Sequence, residues 1–268
     1  MAQTSALLNV MIQAAMKAGR RLTRDFGEVE NLQVSVKGPG DFVSNADKQA
    51  EKIIYDELKH ARPKWGFLME ESGEEIGHDS QHRWIVDPLD GTTNFLHGIP
   101  HFAISIALES QGHLMAGVIY NPITEELYTA ERGQGAYLNN RRLRVAARRN
   151  LSQCVIGTGI PHIGRPEHGK FMLELAQLMG ETAGIRRMGA ASLDLAYIAA
   201  GRLDGFWERG LSPWDMAAGM VLISEAGGFS TDLSGSSKVF ETGEILSGNE
   251  TISKKLMASL KKARETGN

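Results

Sequence analysis

The stretch Trp84-Ile85-Val86-Asp87-Pro88-Leu89-Asp90-Gly91-Thr92-Thr93-Asn94-Phe95 decides how this chain is read. An apolar, strand-like run meets an acid, a proline-containing turn and a second acid, then glycine and two threonines. A strand that ends in this way can direct both carboxylates, and the Leu89 carbonyl between them, into one concave site. Gly91 and Thr92 would then open a short helix, whose first amide groups lack intrahelical partners and can hold a phosphate. Hard oxygen donors of this kind favour magnesium over zinc or copper. Taken singly, each acid has an ordinary role. Asp87 and Asp90 can end a strand and shape a turn. Asp215 can close a capping box with Ser212, and Asp47 can do the same behind Ser44. Glu70 and Glu71 can be solvated. Beside Gly91-Thr92, that set of coincidences becomes strained.

Outward from this segment, Leu7, Met11, Ala14, Ala15, Ala18 and Leu22 recur at helical spacing and predict an amphipathic first helix. Its acid-poor, arginine-bearing start is also compatible with a transit peptide, but a folded helix and a cytoplasmic location are expected. Lys37-Gly38-Pro39-Gly40-Asp41 reads as a flexible turn-rich loop. A second helix is predicted from about Ser44 to His60. From Arg83 to about Val145, Phe102, Ile104, Ile106 and Leu108 alternate with smaller residues, while Gln111-Gly112, Asn121-Pro122 and Asn139-Asn140 mark turns. Residues 1–146 therefore read as helices on a largely antiparallel sheet.

Residues 147–268 alternate instead. A strand near Cys154–Thr158, a helix from about Glu167 to Met179, a helix near Ser192–Ala200 and a strand Leu203–Glu208 are expected. Ser212-Pro213 then opens a helix that stops at Gly227-Gly228. The two parts are expected to form one compact unit of mixed α/β and α+β class, with the second completing the active site.

Composition narrows the classes. The 268 residues are 42% hydrophobic and 23% charged with a formal net charge of -3, which calls for neither nucleic acid nor a membrane surface. The single cysteine, Cys154, permits no intrachain disulfide, fits a reducing compartment and reads as core. His97 and His101 flank Gly98 and Pro100, so they do not share a helix face. The run from Arg141 to Arg149 has no interleaved aromatics and reads as a solvated connection.

Gly66-Phe67-Leu68-Met69-Glu70-Glu71-Ser72, the segment Trp84–Phe95, and Pro213-Trp214-Asp215 followed by Glu225-Ala226-Gly227-Gly228 resemble the paired motifs of the inositol monophosphatase family. The resemblance extends over Asp41–Glu51 and Gly189–Glu208. It implies an α-β-α-β-α layered sandwich of the sugar-phosphatase type, commonly a homodimer, with magnesium-dependent, lithium-sensitive hydrolysis of inositol monophosphate. Glu70, Asp87 and the Leu89 carbonyl would hold one magnesium; Asp87, Asp90 and Asp215 would hold a second, and Glu70 a weaker third through water. Two metals about 4 Å apart can serve both the attacking and leaving oxygens. Thr92, hydrogen-bonded to Asp47, would position the attacking water. Leu89, Asp90, Gly91, Thr92 and Asp215 would also line the substrate site, with Gly189, Ala190 and Ala191 against the ring and Glu208 accepting its hydroxyls. Arg186 would reach phosphate, the partner subunit or solvent, and Lys37 and Asp41 would lie on a mobile loop.

Three alternatives compete. A haloacid-dehalogenase-type phosphatase places its two acids two residues apart, whereas Asp87 and Asp90 are three apart with proline between. A related phosphatase acting on a sugar or nucleotide phosphate shares the metal motifs. A noncatalytic protein contacting RNA or the transcription machinery would use the arginine-rich surface.

Overall fold

The computed structural model describes residues 5–28, 34–38 and 41–266, with residues 34–44 and 266 as backbone alone. Helix α1, Ala6–Phe26, is capped by Ser5, whose hydroxyl accepts the Leu8 N–H at 3.0 Å. Its buried stripe is the predicted one, except that Leu8 rather than Leu7 begins it. Strands β1, Val34–Gly38, and β2, Asp41–Ser44, form a separate antiparallel ribbon, and α2, Asn45–Ala61, follows. Lys37 and Asp41 fall on these strands, and their side chains lie outside the described part.

The large sheet takes β3 (Trp65–Met69), β4 (Gly73–Glu75), β5 (Asp79–Asp90), β6 (Ala103–Ser110), β7 (His113–Asn121), β8 (Glu126–Glu131), β9 (Gly135–Leu138) and β10 (Arg141–Arg142). Their spatial order is β10-β9-β8-β7-β6-β5-β3-β4, antiparallel except between β3 and β5. The short helix α3, Thr92–Leu96, follows β5 directly. The turn signals are real: Gln111 and Gly112, and Asn139 and Asn140, all have positive φ, which suits tight hairpins. Asn121 instead uses its side-chain oxygen to accept the N–H groups of Ile123 and Thr124.

Alternation along the strands sorts residues between two cores. Trp84 and Val86 of β5, with Ile104, Ile106 and Leu108 of β6, face α1 and α2. Ile85, Ala103 and Ala107 face the opposite side. That opposite face is covered by α5, Ala191–Ala199, and α6, Pro213–Glu225. The fit is close because Gly117 of β7 has no side chain: a Cβ there would meet the Ala218 carbonyl oxygen at 2.6 Å.

The second sheet has the order β12-β11-β13-β15-β14, from β11 (Val155–Thr158), β12 (Gly184–Arg186), β13 (Gly205–Arg209), β14 (Phe229–Thr231) and β15 (Glu244–Gly248). β11 is parallel to both neighbours; β15 is antiparallel to both of its own. Helices α4, His168–Met179, and α8, Glu250–Thr266, close its outer face over Cys154, Ile156, Phe171, Trp207 and Leu246, and the short α7 spans Val239–Thr242. The layers are thus α1/α2, large sheet, α5/α6, second sheet, α4/α8. Each fully buried large apolar side chain contributes roughly 1.5–3 kcal/mol.

One expected boundary moves. The strand expected from Leu203 begins at Gly205, because α5 must first be terminated. Gly201 takes φ +68°, and the N–H groups of Arg202 and Leu203 both donate to the Tyr197 carbonyl.

Candidate active site

β5 runs on past its last pairing with β3, Met69↔Val86, and its last residues build the site. Pairing with β6 is regular to Asp87↔Ser105 and resumes at Asp90↔Ala103 after a shift. Pro88, which has no N–H to give, sits in this irregularity. Asp87 lies on the same strand face as Ile85, the side that meets α6. Its Oδ1 accepts the Leu89 N–H at 2.9 Å, which fixes the turn. The Thr92 hydroxyl donates to the Leu89 carbonyl at 3.0 Å. Gly91 has φ +92°, and a Cβ there would lie 3.0 Å from the His101 carbonyl oxygen and 3.2 Å from the Ala190 Cβ. Only glycine fits this corner without strain.

The remaining acids arrive from other elements. Glu70 follows β3, and its N–H donates to the Val86 carbonyl, which sets it beside the end of β5. Glu51 of α2, buried, accepts the Glu71 N–H at 2.9 Å and the Ser72 hydroxyl, and so holds the turn that presents Glu70. Asp215 occupies the first turn of α6, where its carboxylate accepts the Ser212 N–H at 2.7 Å. The capping role and the site role therefore coexist in one side chain. The Ser105 hydroxyl donates to the Trp214 carbonyl and pins this helix start to β6.

Carboxylate oxygens of Asp87, Asp90 and Asp215 lie within 4.8 Å of one another, and among the described residues this is the one such group. Their titration shows the strain of that proximity. Burial first, then Glu70, Asp90 and Asp215, push the Asp87 carboxyl well above the usual range. Burial, then Asp90, does the same to Asp215. Burial raises Asp90 to about 6, against the pull of its hydrogen bonds from Ser192. Three clustered, mutually repelling carboxyls, each raised by desolvation, fit a divalent cation, which would relieve both desolvation and repulsion.

Beside them opens a cavity of about 430 Å³. Glu70, Asp90, Gly91, Thr92, Gly189, Ala190, Ala191, Glu208 and Asp215 all line it, as do Arg165, Arg187 and Asp194. Asp87 and Leu89 are buried beneath the wall, and Asp47 is buried in the first turn of α2. Arg186 is exposed at the end of β12, and one of its N–H groups donates to the Ile185 carbonyl; the adjacent Arg187 reaches the cavity. Burial, then Asp90, lifts the Glu208 carboxyl to about 8.

Sequence reading missed Ser192, Asn94 and Glu51. The Ser192 N–H and hydroxyl both donate to Asp90 Oδ2, at 2.7 and 2.6 Å. The Asn94 amide donates to the carbonyls of His101 and Met188, tying the Gly91 corner to the Gly189 segment. Asn94 stood within the decisive motif, so only its partners were hidden. Ser192 carried no local signal.

Elsewhere the plain readings hold. Cys154 is buried, donates its thiol to the Asn150 carbonyl and is pushed up to about 11, chiefly by burial. His97 ends α3, and His101 is held down by burial. In the arginine run, Arg148 pairs with the buried Asp204 at 3.0 Å, while Arg141 and Arg142 are exposed on β10. No described helix is long and apolar enough to cross a membrane.

The model of the inositol monophosphatase family matches residues 3–266. The chain belongs to that family. An inositol-1-monophosphatase of Rhizobium meliloti is 68% identical over 252 residues, covering 94% of this chain and 95% of the relative. The Nus factor SuhB of Escherichia coli K12 is 43% identical over 255 residues, covering 95% and 96%. A crystal structure of the extragenic suppressor protein suhB from Bartonella henselae superposes with a TM-score of 0.95 at 66% identity, covering 96% of this chain and 99% of that one. Two of the segments that carry the resemblance, Trp84–Phe95 and Pro213–Asp215, meet in the acidic cluster. The layered fold expected from the inositol monophosphatase resemblance is the one observed.

Proposed function

We propose that this protein hydrolyses inositol monophosphate to inositol and inorganic phosphate with magnesium. The observation that carries the reading is the convergence of Asp87, Asp90 and Asp215 at a cavity that Thr92 and Glu208 also line. Glu70, Asp87, Asp90, Asp215 and the Leu89 carbonyl would hold two or three ions. Magnesium, when bound there, supplies the positive charge that a phosphate ester and an acidified water both need.

The chain's own groups do the rest. The Thr92 hydroxyl gives its hydrogen to the Leu89 carbonyl, so its lone pairs are left to accept from the attacking water. Thr92 orients that water, and its proton would pass to a carboxylate, the role given to Asp47. The water oxygen forms the new P–O bond as the ester P–O bond breaks, and the departing alcohol gains a proton. Backbone amides at Gly91 and Thr92 steady the phosphate. The Gly189–Ala191 segment offers small side chains to the ring, and Glu208 accepts a ring hydroxyl.

Lithium inhibition, a cytoplasmic location and a homodimer belong to the same reading. Exposed Ile163, Met172 and Met179 on and before α4 support a covered face between copies. The net charge of -3, with Arg148 engaged to Asp204, gives a nucleic-acid partner no comparable support.

Phosphate release from inositol 1-phosphate, fructose bisphosphate, a 2′-nucleotide and 3′-phosphoadenosine compounds tests the substrate, and inositol 1-phosphate should be turned over best. Asp87→Asn should lower turnover at least about 100-fold while the protein stays folded, since it removes a central charge from the cluster. Near-wild-type turnover at saturating magnesium would sink the assignment.

A further inference from the structure

Asp194, in the first turn of α5, lines the same cavity yet has no role in the reaction derived above. It is 1% exposed, and its Oδ1 has no hydrogen-bond partner among the described residues. Three other buried acids show the usual provision. Asp204 accepts from Arg148 and the Val155 N–H; Glu174 accepts from Arg209 and Arg264; Asp232 accepts from Ser234 and Ser236. An unpartnered buried carboxyl is costly, so one kept at a site wall calls for a donor that arrives with the ligand.

The placement of Asp194 shows which donor. A Cβ on Gly157 would come 3.7 Å from Asp194 Oδ1, and a Cβ on Gly159 would overlap the Glu208 carboxylate. Gly159 clears the space that the Glu208 carboxylate occupies, and Asp194 Oδ1 lies in contact distance of the Gly157 position, two residues earlier in the chain. Arg187 lines the cavity and acts on both, drawing each carboxyl down against burial. Adjacent acceptors flanked by a guanidinium match vicinal hydroxyls, each of which can donate to one carboxyl. They do not match a second phosphate, whose oxygens are themselves acceptors.

We propose that Asp194 and Glu208 together form a subsite for two neighbouring free hydroxyls of the substrate alcohol, which makes Asp194 a specificity-determining residue for polyol phosphates. The proposal rests on the reading of Glu208 as a hydroxyl acceptor. The preference of the enzyme for ring phosphates rich in hydroxyls over phosphate esters of plain alcohols then depends on both carboxyls.

The test compares inositol 1-phosphate with cyclohexyl phosphate, the same ring without hydroxyls, in wild type, Asp194→Leu and Asp194→Asn. Asp194→Leu should lower the ratio of the two kcat/KM values about 10- to 100-fold, chiefly through KM for inositol 1-phosphate. The Tm of the metal-free variant should stay level or rise, because an unpartnered buried carboxyl gives way to an apolar group of similar shape. A merely structural residue would do the opposite: Tm would fall and both substrates would lose equally, and that result would overturn the subsite. Asp194→Asn keeps one acceptor oxygen and should retain part of the ratio. If the leucine variant does not fold, an asparagine variant with an unaltered ratio overturns the proposal. A wild-type enzyme with no preference for inositol 1-phosphate would refute the substrate reading itself, whereas a preference that survives Asp194→Leu refutes the subsite alone.

Discussion

Ser192→Ala removes one oxygen from the molecule and tests how the metal end of the site is tuned. The Ser192 hydroxyl donates to Asp90 Oδ2 at 2.6 Å, in a buried setting, alongside the Ser192 N–H at 2.7 Å. The alanine variant keeps the amide bond and loses the hydroxyl bond. A hydrogen bond to a buried charged group is worth about 1.5–3 kcal/mol, and one pH unit of titration corresponds to about 1.4 kcal/mol. Asp90 already sits at about 6, raised first by burial and held down by Ser192. Loss of the hydroxyl should therefore carry its titration upward by about one to two pH units. A protonated carboxyl is a poor magnesium ligand, so the magnesium concentration for half-maximal activity at pH 7 should rise about 10-fold. Raising the pH to 9 should recover most of that loss. Activity against magnesium concentration at pH 7, 8 and 9 reads the effect, with the circular dichroism spectrum unchanged. An unaltered magnesium requirement at pH 7, or a defect that does not shrink with pH, would refute the reasoning.

Thr92→Ala should lower kcat about 10²–10³-fold with little change in KM, because an orienting contact matters mainly in the transition state. Asp47→Asn should resemble it, and additive losses in the double variant would separate the two residues. Glu208→Gln bears on stability against pH. The folded Glu208 carboxyl is raised from 4.5 to about 8 by burial and Asp90, so the folded protein holds a proton that the unfolded chain has released. Its contribution is fully present below about pH 4.5 and is lost as pH rises through about 8. Metal-free wild type should thus lose about 2–4 kcal/mol relative to Glu208→Gln between pH 5 and 9, read by chemical denaturation. Parallel curves for the two proteins would show that Glu208 is not buried as described.

The sequence by itself determined the local chemistry of this protein. A strand running into Asp87-Pro88-Leu89-Asp90-Gly91-Thr92 was legible because strand end, turn and helix start are set by residues a few positions apart. Ser212-Pro213 marked the start of α6 for the same reason, and the alternation of Ile104, Ile106 and Leu108 gave one face of β6. Family resemblance then supplied the long-range grouping of Glu70 and Asp215 with that turn. Tertiary structure alone decided which groups hold the acids in place. Ser192 meets Asp90 across 102 residues of chain, and Glu51 meets the turn after β3 from another layer. No periodicity or spacing encodes such pairs, since they exist only once α5 and α2 have docked on the sheets. The same docking left Asp194 Oδ1 buried with no hydrogen-bond partner among the described residues, and it put Arg187 rather than Arg186 on the cavity wall. A carboxyl's solvation and its neighbours' charges, which fix what it can do, are properties of the packed molecule and not of the string of residues.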